Sequence, residues 1–397
     1  MKRCEETENA APQAENGPDY EACAERQSPA FRRDGVYSLM VFLHAQAINR
    51  SGLGTGPADL HNAELAITEA AETLRGMAQY QAHPFRRFAA DVPVAWRCGS
   101  VRLLDFGGTG PPVLAIPSLV NGAYIMDLSA ELSPLRWLSR QGFRVFQIDW
   151  GAPGPEERAF GLGDYLKHRL VPALNVVARL TAKPVHLVGY CMGGPLMLAL
   201  AQREAEKIGK IATLGAPWDF TAFPEHAAMR ERRAEVVQLL DSMEMLFGVI
   251  PAQMTQSFFA LRDMSSGVSK FRRFAGLDQH GAEARRFVAV EDWLNNGIPL
   301  APRVGRECFL EWVTDDTPRK GKWAPNGVVF NAADVTQEAL VVSAQRDTVV
   351  RRAASEPLAT ALGNARLLQA GVGHIGMVVG APAIEAVWRP LADFLDE

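Results

Sequence analysis

From Val101 onward, short β-branched apolar runs alternate with longer stretches of helical spacing. The pattern predicts strands at 101–106 (VRLLDF), 112–116 (PVLAI), 144–148 (RVFQI), 184–188 (PVHLV), 210–214 (KIATL), 339–343 (ALVVS) and 365–369 (ARLLQ). Helical character with few breakers at 135–141, 163–181 and 194–206 supplies the crossovers. Such alternation predicts an α/β fold, a mostly parallel sheet with covering helices. It stops after Trp218 and resumes near Ala339. The intervening roughly 120 residues, helical in spacing and rich in Phe, Trp, Met and Arg, predict a helical lid over the sheet's carboxyl edge, where open α/β sheets bind ligands.

These patterns divide the chain. Residues 1–34, rich in Glu, Ala, Pro and Asn, are expected to be a disordered tail. Residues 35–98 are expected to form an N-terminal helical extension, with a helix near 66–81. The core is expected at 99–217 and 338–397, and the lid at 218–337. The apolar run Val36–Ile48 is too short to span a bilayer and carries Ser38, His44 and Gln46, so no transmembrane segment is expected.

A formal net charge of −4 provides no basic field for a nucleic-acid backbone, which excludes that partner. The five cysteines are odd in number, far apart and without a C-x-x-C pair, and read as free thiols in a reducing compartment. The first residues lack the apolar run of an export signal, so the expected location is cytoplasmic.

The sharpest chemical signal is PVHLVGYCMGGPLMLALA. A buried-strand pattern leads into Gly189-Tyr190-Cys191-Met192-Gly193-Gly194 and then an apolar helix, which is the nucleophile elbow of the α/β-hydrolase fold with cysteine as nucleophile. The turn strains the nucleophile's backbone, and glycines two residues to either side let strand and helix approach. The sulfur then stands at a helix N-terminus, which favours a thiolate. On this fold the acid and the histidine follow in order after later strands. Asp347 follows ALVVS, and His374 lies in a glycine-rich loop after the last strand, which no other histidine combines with so late a position. An oxyanion hole would draw on the backbone N–H of Met192 and on one from PSLVNGAY, at Val120 or Asn121. The histidines do not pair at ligand spacing, so no metal is expected.

The elbow GYCMGG, VLAIPSLVNGAYIMDLS, LSPLRWLSRQGFRVFQIDWG, EDWLNNGIPLA and the terminal GHIG together resemble the polyhydroxyalkanoate synthase family, over roughly residues 78–397. The resemblance implies an acyltransferase that moves 3-hydroxyacyl groups from CoA, through a thioester on Cys191, to a growing polyester chain. It implies His374 as general base, Asp347 as its partner, CoA as part of the substrate and no bound cofactor. Its implied partners are 3-hydroxyacyl-CoA, the polyester chain and its storage granules, and either a second copy or a second synthase subunit. Members of the family usually read Asp-His-Ile-x-Pro-Trp from the triad aspartate, where this chain reads Asp347-Thr348-Val349-Val350-Arg351-Arg352. Two other readings use the same residues: an intracellular depolymerase, esterase or thioesterase, in which water is the acceptor, and a catalytically silent granule- or partner-binding protein.

Overall fold

The computed structural model describes residues 5–6, 33, 57–87, 91–262 and 264–397. The expected tail, 1–34, and the run Val36–Ile48 lie almost wholly outside them. The described strands are β1 (Glu5–Glu6), β2 (Val94–Cys98), β3 (Val101–Asp105), β4 (Pro112–Ile116), β5 (Arg144–Asp149), β6 (Val185–Tyr190), β7 (Ile208–Leu214), β8 (Ala339–Ala344) and β9 (Ala365–Ala370). They form one sheet in the order β1-β2-β3-β5-β4-β6-β7-β8-β9. Pairing is antiparallel from β1 through β3 to β5 and parallel from β5 to β9. This is the expected α/β-hydrolase arrangement. All seven predicted strands are present, with ends moved by two residues or fewer.

The full burial of the interior strands β4 and β8 explains why their sequences read as continuous apolar runs rather than as alternation. The helix Gly193–Arg203, which leaves the elbow, is buried without interruption from Gly193 to Ala201. The crossover predicted at 163–181 is one helical run, with a π-helical segment at Leu166–Leu170 between α-helical ends.

Two expectations are corrected at the front of the core. The expected extension, 35–98, ends in β2, so this stretch of chain enters the sheet at Val94 rather than at residue 99. VAWRC escapes the alternation pattern because a register shift between Val94 and Trp96 breaks it. The cysteines are not all free: Cys98, at the end of β2, is disulfide-bonded, whereas Cys191 and Cys308 are free thiols.

The chain forms two compact units. One comprises Met1–Asp19, Ala90–Pro251 and Ile298–Glu397; the other comprises Tyr20–Ala89 and Ala252–Gly297. The segment expected as one lid, 218–337, is therefore divided between them. Its two ends stay with the sheet, because Ile250 and Leu300 exchange backbone hydrogen bonds and Ile298 donates to Val120 O at 3.0 Å. Aromatic residues of that segment serve the sheet unit: Trp218, Phe220, Trp312, Trp323 and Phe330 pack ring on ring at 5.1–5.9 Å.

In the second unit, the helix Pro57–Ala82 packs on Met264–Ala275. Its core holds Met77, Tyr80, Phe271, Phe274, Ala284 and Val288. Asp292 accepts two hydrogen bonds from Arg33, at 2.7 and 2.8 Å, and one from the Tyr80 hydroxyl at 2.9 Å. Among the described residues, no helix is long and apolar enough to cross a membrane.

Candidate active site

Cys191 occupies the turn between β6 and the helix Gly193–Arg203, with a left-handed backbone at φ 53°. That conformation costs an L-residue about 1–2 kcal/mol and persists because its surroundings over-determine it. Cys191 N–H donates to Leu214 O at 2.9 Å, and Cys191 O accepts from Gly194 N at 2.9 Å. The glycines have definite reasons. A Cβ on Gly189 would stand 2.7 Å from the Gly194 Cα, and one on Gly193 would stand 2.7 Å from Pro117 O and collide with Ile116 O. Strand, turn and helix can be this close only where side chains are missing.

Sequence positions 191, 347 and 374 converge. The Asp347 carboxylate lies 2.7 Å from His374 Nδ1 through Oδ2, while Oδ1 accepts the N–H groups of Val349 at 2.8 Å and Val350 at 2.7 Å. The other ring nitrogen of His374 is left for Cys191, whose sulfur acts on the same imidazole. Burial pulls the His374 ring toward its neutral form. The Asp347 carboxylate and the Cys191 sulfur outweigh that pull and hold the imidazolium up to about 10. All three side chains are buried.

Met192 stands at the N-terminal cap of the helix, and its N–H donates to no group among the described residues. The loop after β4 is held from behind, since Trp150 Nε1 donates to Pro117 O at 2.9 Å. Within that loop the Val120 carbonyl accepts from Ile298, and its N–H faces Ser118 Oγ at a long 3.4 Å. Asn121 is the next residue along.

Two neighbours were not foreseen. Tyr190 stacks on the His374 ring with centroids 5.2 Å apart and planes at 30°. Its identity was visible as the second residue of G-x-C-x-G, but the contact joins positions 184 residues apart. Cys308 Sγ lies 4.0 Å from Met192 Sδ. Burial, with Glu307 and Glu311 adding to it, raises that thiol well above the ordinary range.

A family model described as alpha/beta hydrolase fold matches residues 111–243, which contain β4 to β7 and the elbow. Curated relatives named poly(3-hydroxyalkanoate) polymerase subunit PhaC match a longer stretch. The protein from Haloarcula marismortui is 26% identical over 292 residues, covering 72% of this chain and 61% of its own length. That from Haloferax mediterranei is 26% identical over 296 residues, covering 72% and 58%. That from Allochromatium vinosum is 25% identical over 290 residues, covering 72% and 81%. This chain is similar to the poly(3-hydroxyalkanoate) polymerases. It matches only about three-fifths of the length of the two archaeal relatives. The resemblance carried by GYCMGG and its flanking segments thus holds across most of the chain, on the expected fold.

Proposed function

We propose that the protein is a polyhydroxyalkanoate synthase-like acyltransferase that moves 3-hydroxyacyl groups from CoA to a growing polyester chain through a thioester on Cys191. The observation that carries this reading is the convergence of Cys191 with the hydrogen-bonded pair His374–Asp347, on a chain similar to the polymerases. In the first step the Cys191 thiolate attacks the thioester carbonyl. The negative charge on the carbonyl oxygen is met by the Met192 N–H together with a donor from the Val120–Asn121 turn. The carbon–sulfur bond to CoA then breaks, and CoA leaves with the electron pair and takes up the proton of the His374 imidazolium, so that the ring is neutral when the second step begins. Attacking and leaving groups are both thiolates of comparable basicity, so the acyl group rests on Cys191 without falling into a deep well.

In the second step His374 takes the proton of a 3-hydroxyl group as that oxygen attacks the Cys191 thioester. An ester bond forms and the Cys191 sulfur departs with the electron pair, restoring the thiolate–imidazolium pair. Asp347 fixes the tautomer and supports the charge. No resident cofactor is needed, because CoA enters and leaves with the substrate. The proposal includes association with storage granules, a second copy or a second synthase subunit, and a cytoplasmic location. Against that location the Cys98 disulfide is an exception to the usual state of cytosolic thiols.

Thr348, which is exposed, stands where the family pattern places histidine, and this favours hydrolysis as the second reading. Incubation with (R)-3-hydroxybutyryl-CoA, with thiol release and product size followed in one tube, separates the two. Polymer supports the synthase; CoA release with only free acid or short oligomers moves the assignment to a hydrolase. Wild-type enzyme that releases no CoA from any 3-hydroxyacyl thioester sinks the synthase and the thioesterase, and failure to cleave 3-hydroxybutyrate oligomers as well leaves the catalytically silent reading.

A further inference from the structure

His374 sits in the loop Gly371-Val372-Gly373-His374-Ile375-Gly376, where three glycines give the backbone little stiffness of its own. Its ring orientation must therefore come from side-chain contacts. The bond from Nδ1 to Asp347 lies in the plane of the ring and fixes one nitrogen. It leaves the ring free to tip about the Nδ1–Oδ2 line, and tipping swings the opposite nitrogen away from Cys191. Only a contact on the ring's face removes that freedom.

Tyr190 makes such a contact. It is the last residue of β6, directly before the nucleophile, and is 2% exposed. Its ring stacks on the imidazole at 5.2 Å and 30°, and its hydroxyl donates to the His374 carbonyl at 3.4 Å, so one side chain touches both the ring and the backbone of the same residue. On the side of β7, Gly215 has a left-handed backbone, and a Cβ there would come within 3.0 Å of His374 Nδ1. The space allotted to the ring is thus bounded at several points.

We propose that Tyr190 is a positioning residue for the general base: its ring, stacked on the imidazole, keeps His374 aligned with Cys191 and favours the imidazolium form. The proposal rests on the reading of His374 as the base. An aromatic face attracts a cation, so the stack supports the charged state that the thiolate requires. Burial, with the Cys191 and Asp347 charges adding to it, raises the phenol well above its ordinary value, so Tyr190 stays neutral across the working range. The titratable groups around the imidazole are Asp347, Cys191 and Tyr190 itself.

The test is the rate of Cys191 alkylation by iodoacetamide as a function of pH in the full-length protein, with the labelled peptide identified by mass, for Tyr190→Phe and Tyr190→Leu. The phenylalanine variant keeps the stack and should keep the wild-type profile. The leucine variant should react about three- to tenfold more slowly at neutral pH, the span expected for losing a cation–π contact, and the difference should shrink as pH rises. With (R)-3-hydroxybutyryl-CoA the same variant should lose kcat with KM little changed. If circular dichroism shows the leucine variant unfolded, Tyr190→Met carries the same readouts. A leucine or methionine variant with the wild-type alkylation profile overturns the proposal, and so does a phenylalanine variant impaired to the same degree. Alkylation needs no acyl substrate, so failure of the acyl-transfer reading shows itself separately, as a wild-type protein with a reactive Cys191 that releases no CoA.

Discussion

Asp347 and His374 are joined by a 2.7 Å hydrogen bond whose acceptor is itself held by two backbone N–H groups, those of Val349 and Val350. The turn after β8 therefore orients the carboxylate without help from a neighbouring side chain, and Thr348 can differ from the family's usual histidine without freeing Asp347.

Replacing Asp347 with asparagine preserves this shape and reverses its chemistry. The amide oxygen still accepts from Val349 and Val350, which turns the NH2 group toward His374 and imposes the wrong tautomer. The expected loss in kcat/KM is about 10³- to 10⁴-fold, the size seen when a triad acid is neutralised without moving, with circular dichroism unchanged. Steady-state CoA release measures it, and a loss below tenfold would remove Asp347 from the triad.

The charge on His374 has two anionic supports, and acylation removes one of them. Burial pulls the ring down, and Asp347 and Cys191 together hold it up to about 10. Once the sulfur is neutral, burial still pulls and only Asp347 resists, so the ring must release its proton at a lower pH. The enzyme thus turns its resting acid into the base that the second step needs. NMR titration of His374 in protein alkylated at Cys191 should show this downward move, and an unchanged titration would mean that the sulfur does not support the charge.

The seven β-branched strands and the elbow were legible in the sequence because their causes are local. Buried parallel strands need apolar runs, and a strained turn needs glycines at fixed offsets. β2 was hidden because its Trp96 and Arg97 sit on an antiparallel margin with a register shift. The division of the expected lid was hidden because it depends on distant partners: the helix Pro57–Ala82 with Met264–Ala275, and Ile298 with Val120. The contact of Tyr190 with His374 was hidden, since nothing near it in sequence announces a ring 184 residues away.

The φ of 53° at Cys191 makes a stability prediction that is independent of substrate. Glycine adopts this conformation without strain, whereas alanine retains the Cβ that opposes it. Both Cys191→Ala and Cys191→Gly should abolish turnover, and the glycine variant should be the more stable by about 1 kcal/mol in urea unfolding. Equal stability would mean that the elbow stores no backbone strain.

Glu307 opens the π-helix Glu307–Thr314, beside the Cys308 that touches Met192, and accepts a hydrogen bond from Leu162 N at 2.9 Å. Burial raises its carboxyl group to about 7; the Leu162 N–H counters in part, and the charge of Glu311 adds to the rise. Below about pH 4.3 the group is protonated in both the folded and the unfolded chain and costs nothing. Between that value and about 7 the folded protein keeps a proton that the unfolded chain has lost, so stability falls as pH rises, and above 7 the full cost remains. Glu307→Gln stays neutral and can still accept from Leu162. Its advantage over wild type should grow from near zero at pH 4.5 to about 1–3 kcal/mol at pH 7.5, read from urea midpoints at each pH. A difference that stays flat across this window would mean that Glu307 meets water in the folded protein, and the helix against the elbow would then be more open than its packing indicates.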